Sequence, residues 1–151
     1  MKKKILIIDD DPQICKSLRK VLQAEGYEVV LAASGREGLD KFDPVHTDLV
    51  MLDINLPGEK GWDVFARITS INALLPIIII TGRQDQFEMA AAAGVGALIE
   101  KPMDMLFLLQ TVAEMLVEPL DARIERLAGL NHYMRFSYPK SNGASQKTTP
   151  S

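Results

Sequence analysis

Short apolar runs recur along this chain, each closed by a polar residue. Ile5-Leu6-Ile7-Ile8 leads into Asp9 and Asp10, and Leu49-Val50-Met51-Leu52 into Asp53. Ile77-Ile78-Ile79-Ile80 leads into Thr81, and Ala97-Leu98-Ile99-Glu100 into Lys101. Runs of this length without alternation suit strands covered on both faces. The pattern predicts strand 1 over about 5–9, strand 2 over 27–32, strand 3 over 49–53, strand 4 over 77–81 and strand 5 over about 97–100.

Helical spacing fills the gaps. Asp11 caps helix 1, Pro12 opens it, Ile14, Leu18, Val21 and Leu22 form its apolar stripe, and Gly26 closes it. Ser34 and Glu37 form a capping-box pattern for helix 2, which ends near Phe42. Asn55-Leu56-Pro57-Gly58 is a turn. Helix 3 carries Val64, Phe65, Ile68 and Ile71 and stops before Pro76. Helix 4 spans about 84–93 and stops at Gly94, and helix 5 runs from about 103 to 117 before Pro119. Five strand–helix units predict an α/β fold: a doubly wound, five-stranded parallel sheet, flavodoxin-like, of order 2-1-3-4-5, with five helices. In that order the switch point falls between strands 1 and 3, which end in Asp9, Asp10 and Asp53.

The unit so defined covers 1–118. A short helix is expected over 119–130, where Leu120, Ile124 and Leu127 share a face, and a flexible tail over 131–151, where Ser, Thr, Asn, Gly, Pro and Lys dominate. Apolar positions of helix 5 cover roughly 200° of arc, against the 100° or so that one buried stripe needs. The surplus calls for a second contact, either with a partner or with the short helix that follows.

Parallel strands share a carboxyl edge, where open α/β sheets bind ligands. Three carboxylates brought together there raise one another's pKa unless a cation compensates, and a hard divalent ion with oxygen ligands is the natural solution. Magnesium takes a few carboxylates and still accepts a substrate oxygen. One carboxylate is then a nucleophile toward phosphorus, giving an aspartyl phosphate, with the Thr81 hydroxyl and Lys101 ammonium as donors to the new anion.

Composition narrows the rest. The chain has 151 residues, 47% hydrophobic and 25% charged, enough for one domain with a sound core. With a net charge of −3 nothing global argues for nucleic-acid binding, and no direct contact with nucleic acid is expected. One cysteine, Cys15, excludes an intrachain disulfide and fits a reducing cytoplasm. Lys2-Lys3-Lys4 precedes too short an apolar run for a signal peptide, and no run is long enough for a membrane span. A cytoplasmic protein with no membrane contact is expected.

The segments Ile7-Ile8-Asp9-Asp10, Leu52-Asp53-Ile54-Asn55-Leu56-Pro57-Gly58, Ile80-Thr81-Gly82 and Glu100-Lys101-Pro102 resemble the receiver domain of two-component response regulators. The resemblance covers about residues 3–118. It implies that Asp53 accepts a phosphoryl group from a sensor histidine kinase or phosphotransfer protein. It implies that Asp9, Asp10 and Asp53 hold Mg2+, with the Asn55 backbone carbonyl completing the shell. Thr81 and Lys101 would serve the phosphoryl group, and the peptide before Pro102 is often cis in the family. The face of helix 4, strand 5 and helix 5 often meets partners there, so a homodimer through it is one expectation. Such a domain is not an enzyme beyond its own phosphorylation and dephosphorylation. Two positions depart from the pattern: Leu98 stands where relatives usually carry Tyr or Phe, and Gly82 where many carry Ala. Asn55 and Arg83 each lie two residues past a site residue, and Arg83 is expected to shield an acyl phosphate.

Plainer readings stand beside these. Asp11 is a helix cap, Cys15 and Trp62 are packing residues, and His46 and His132 are incidental. A small haloacid-dehalogenase-type phosphatase would use Asp9 as nucleophile, but Asp53 would then have no task. A degenerate receiver would act only as a binding module.

Overall fold

The computed structural model describes residues 1–130, 133–140 and 143–149, with side chains up to Pro139. His132 lies outside the described residues. Contacts divide the chain into two units, Met1–Leu75 and Pro76–Ser151.

The first unit contains β1 (Lys4–Ile8), α1 (Pro12–Ala24), β2 (Glu28–Ala32), α2 (Gly35–Lys41), β3 (Leu49–Asp53) and α3 (Gly61–Ile71). Its strands are parallel in the order β2-β1-β3. Ile5–Ile8 and Leu49–Leu52 are at most 1% exposed, as unalternating apolar runs require. Each such side chain contributes about 1.5–3 kcal/mol on burial. Asp11 caps α1 through Oδ1, which accepts from Gln13 N (2.9 Å) and Ile14 N (3.4 Å). Cys15, Leu18 and Leu22 face the sheet, and Gly26 closes the helix at φ +92°. Ser34 Oγ accepts from Glu37 N (3.1 Å), while Glu37 Oε2 accepts from Ala33 N (3.0 Å).

The second unit contains β4 (Ile77–Thr81), α4 (Phe87–Ala92), β5 (Ala97–Glu100), α5 (Met105–Leu116), α6 (Leu120–Leu127), β6 (Met134–Lys140) and β7 (Gly143–Thr149). β4 and β5 are parallel and fully buried. Two helix starts move inward from the expected positions. α4 begins at Phe87 rather than Gln84, because residues 82–86 form a polar loop in which Arg83 N donates to Thr81 Oγ1 (2.9 Å). α5 begins at Met105 because Asp104 caps it, its Oδ1 accepting from Phe107 N (3.1 Å).

The flexible tail expected from residue 131 is corrected by two strands. β6 pairs in parallel with β5, setting Ala97 against Arg135, Leu98 against Phe136 and Ile99 against Ser137, and β7 returns antiparallel to β6. The exposed edge of β5 supplies backbone partners whatever the side chains are, so polar composition does not forbid pairing. Side chains add to it. Met134 and Phe136 are buried, Phe136 packs on Phe87 (4.9 Å between ring centres), and Arg135 Nε donates to Glu114 Oε2 at 2.7 Å.

Of the two contacts that the wide arc of helix 5 allowed, cover by Leu120, Ile124 and Leu127 is incomplete: they remain 54%, 48% and 40% exposed. Arg126 is the buried residue, its Nε donating to Gly94 O (3.1 Å) and its Nη1 to Glu118 Oε2 (2.6 Å). Leu106 and Val117 stay exposed near the two ends of α5, so part of its wide apolar arc faces solvent.

Candidate metal and phosphoacceptor site

Register builds the site before any side chain is considered. β1 and β3 pair Ile8 with Leu52, so the next residues, Asp9 and Asp53, emerge side by side at the carboxyl edge. Asp10 follows directly. One oxygen from each of the three carboxylates lies within 4.8 Å of the others. Asp9 and Asp53 are 1% and 2% exposed, whereas Asp10 is open to solvent. Backbone amides orient the two buried carboxylates: Asp11 N donates to Asp9 Oδ1 (2.9 Å) and Asn55 N to Asp53 Oδ1 (2.8 Å).

The donor set fits a hard cation. Ligand oxygens on an octahedral Mg2+ with bonds near 2.0–2.1 Å sit roughly 3 Å apart when adjacent and roughly 4 Å apart when opposite. A cluster spanning 4.8 Å needs only small side-chain adjustment to meet that geometry. Two buried carboxylates beside a third also carry repulsion that a cation removes.

The second unit brings Thr81 and Lys101 together. Thr81 and Glu100 are register partners, and Lys101 N donates to Thr81 O (2.8 Å). Thr81 is fully buried, and the Lys101-Pro102 peptide is cis. Arg83 donates from its guanidinium to Asp85, and that ion pair is exposed. Leu98 is buried in β5, where Ile79 and Phe136 are its register partners. His46 Nδ1 pairs with Asp43 in an exposed loop, and that pairing holds the Asp43 carboxyl below its ordinary range.

Glu100 is the charged group the sequence reading passed over. It is 5% exposed, and burial, reinforced by the charge of Asp85, raises its pKa. Glu59 was missed as well. Its carboxylate crosses to α2 and accepts from Gly35 N (2.8 Å) and Arg36 N (3.0 Å). No periodic signal marks either residue. Glu100 ends an apolar strand, and Glu59 sits in a turn.

The sequence matches the response regulator receiver domain family over residues 5–113. It is 36% identical over 124 residues to the transcriptional regulatory protein GlrR of Escherichia coli strain K12, covering 81% of this chain and 28% of that protein. It is 33% identical over 97 residues to the alkaline phosphatase synthesis transcriptional regulatory protein PhoP of Bacillus subtilis, covering 64% and 40%. This chain thus spans less than half the length of those two relatives. Among solved structures, a CheY-like receiver domain protein from Methanospirillum hungatei matches with a TM-score of 0.71 and 32% identity, over 83% of this chain and 98% of that one. The response regulator TrrA from Thermotoga maritima, solved in complex with Mg2+-BeF, matches with a TM-score of 0.68 and 33% identity, over 75% and 98%. The fold is the flavodoxin-like, CheY-like arrangement of a parallel sheet and alternating helices.

Proposed function

This chain belongs to the response regulator receiver family of two-component signalling, and from that premise we propose that Asp53 is its phosphoacceptor. The observation that carries the reading is the β1–β3 register, which sets Asp53 beside Asp9 and Asp10. Those carboxylates, with the Asn55 backbone carbonyl, would hold Mg2+. When bound, the ion cancels carboxylate charge and holds a phosphoryl oxygen.

A sensor histidine kinase or phosphotransfer protein is the donor. An oxygen of Asp53 attacks the phosphorus of a phosphohistidine, the P–N bond breaks, and the imidazole leaves. The Asn55 amide keeps the Asp53 carboxylate aimed during that attack. Thr81 and Lys101, each at a strand's carboxyl end, donate to the transferred phosphoryl oxygens. Water later hydrolyses the acyl phosphate. The chain's own chemistry ends there, and its output is a change in protein–protein contacts in the cytoplasm.

The face of α4, β5 and α5 is the surface proposed to carry that change, including self-association. Met89 and Leu106 are exposed on its two helices. Sedimentation of Leu106→Glu with and without beryllofluoride checks this; an unchanged self-association refutes the face. The parent function is tested by incubation with Mg2+ and acetyl phosphate, followed by mapping of the modified residue. Mg2+-dependent label on Asp53, absent from Asp53→Asn, is the expected result. Label on Asp9 with multiple turnover would instead support the phosphatase, and labelling without Mg2+ dependence would refute the metal site.

A further inference from the structure

We infer that Glu59 is a positioning residue for the metal and phosphoacceptor site, acting from outside it by clamping the β3–α3 loop to the first turn of α2. The inference rests on the proposed function above. Residues 54–60 leave β3 directly from Asp53 and carry Asn55, whose amide bonds Asp53 Oδ1. Where this loop sits decides where the Asn55 backbone points.

Two contacts pin the loop. At its far end Gly61 lies against the backbone of Ile54, so closely that a Cβ there would stand 2.2 Å from Ile54 Cα and 2.4 Å from its carbonyl oxygen. Beside it, Glu59 reaches out of the loop. Its two oxygens accept from Gly35 N (2.8 Å) and Arg36 N (3.0 Å), the first two amides of α2. These amides have no partner within the helix, and a carboxylate across them also meets the positive end of the helix dipole. Gly35 makes the approach possible, since a Cβ at that position would come within 2.9 Å of Glu59 Oε1 and 2.5 Å of Val64 Cγ2.

The third amide of α2 has a local cap. Glu37 N donates to Ser34 Oγ. Capping α2 therefore takes two devices, one local and one borrowed from the loop that follows the phosphoacceptor. Ser34 serves the helix alone. Glu59 serves the helix and also the loop that carries Asn55, whose amide bonds Asp53. That difference separates a positioning role from an ordinary cap.

The experiment titrates Mg2+ into isotope-labelled full-length protein, reads Kd from amide NMR shifts, and measures thermal midpoints in EDTA. Acetyl phosphate labelling rates follow at saturating Mg2+. Glu59→Ala is expected to raise the Mg2+ Kd about tenfold, the lower end for residues that orient metal ligands. Glu59→Gln retains one acceptor and is expected to give a smaller, measurable rise. Ser34→Ala is expected to lower the midpoint while leaving the Kd at the wild-type value. If Glu59→Ala does not fold, Glu59→Gln carries the test. Glu59 variants that lose stability but bind Mg2+ like wild type would overturn the inference and leave Glu59 a helix cap. A wild-type protein that shows no Mg2+-dependent shifts would instead remove the receiver chemistry itself, which is a separate outcome.

Discussion

Gly61→Ala tests how tightly the loop after the phosphoacceptor is packed. The added Cβ would sit 2.2, 2.4 and 2.6 Å from Ile54 Cα, O and C. Carbon atoms rest about 3.5–4.0 Å apart, so the first residue of α3 must retreat by more than about 1 Å. The obstacle is backbone, which has no rotamer to change. Retreat of α3 loosens Val64 and Ile68, both buried against the sheet. Overpacking of this kind costs about 1–3 kcal/mol, and the better helix propensity of alanine offsets less than about 1 kcal/mol. A net loss of about 2 kcal/mol lowers the thermal midpoint by about 4–8 °C in a chain of this size. Circular dichroism melts in Mg2+-free buffer measure it. Gly82→Ala is the control, since a Cβ there meets nothing within 4 Å and its φ is not positive; its midpoint should match wild type. If Gly61→Ala melts with wild type as well, the close approach at Ile54 is wrong.

Other perturbations follow from buried charge. Burial first, and then the charge of Asp85, raise the Glu100 pKa above its unfolded value. The stability held by its protonated form is full below the unfolded pKa and is lost as pH rises through the folded one. Glu100→Gln, which does not ionise, should therefore gain on wild type in denaturant midpoint as pH climbs from acid toward neutral; parallel pH curves would contradict this. Arg126→Met strands Glu118 and the Gly94 carbonyl, although Arg123 still stands 3.6 Å from Glu118. The expected cost is about 2 kcal/mol, below the roughly 3–5 kcal/mol for a fully stranded buried charge. Urea unfolding measures it, and an unchanged midpoint would show the pair to be dispensable.

Most of what positions the carboxylates was legible from pattern alone. Apolar runs without alternation marked β1, β3, β4 and β5, because strands covered on both faces need no polar positions. The first polar residue after such a run falls at the sheet edge, which is how Asp9 and Asp53 could be paired before their register was known. Asp11 and Ser34 were readable as caps because capping is local. Residues 134–149 misled for a complementary reason. Their polar composition predicts no core, yet backbone pairing on the β5 edge is indifferent to composition.

The sequence by itself determined strands β1 to β5 and the cluster of carboxylates, because burial and strand ends leave a signal within a few residues. Tertiary structure alone decided that Glu59 would cap α2, that Arg126 rather than Leu120, Ile124 and Leu127 would turn inward, and that β6 would pair with β5. Each of those outcomes is an interaction with a partner distant in the chain. Such interactions are settled by which amides, carbonyls and charges remain unsatisfied once the local elements have packed.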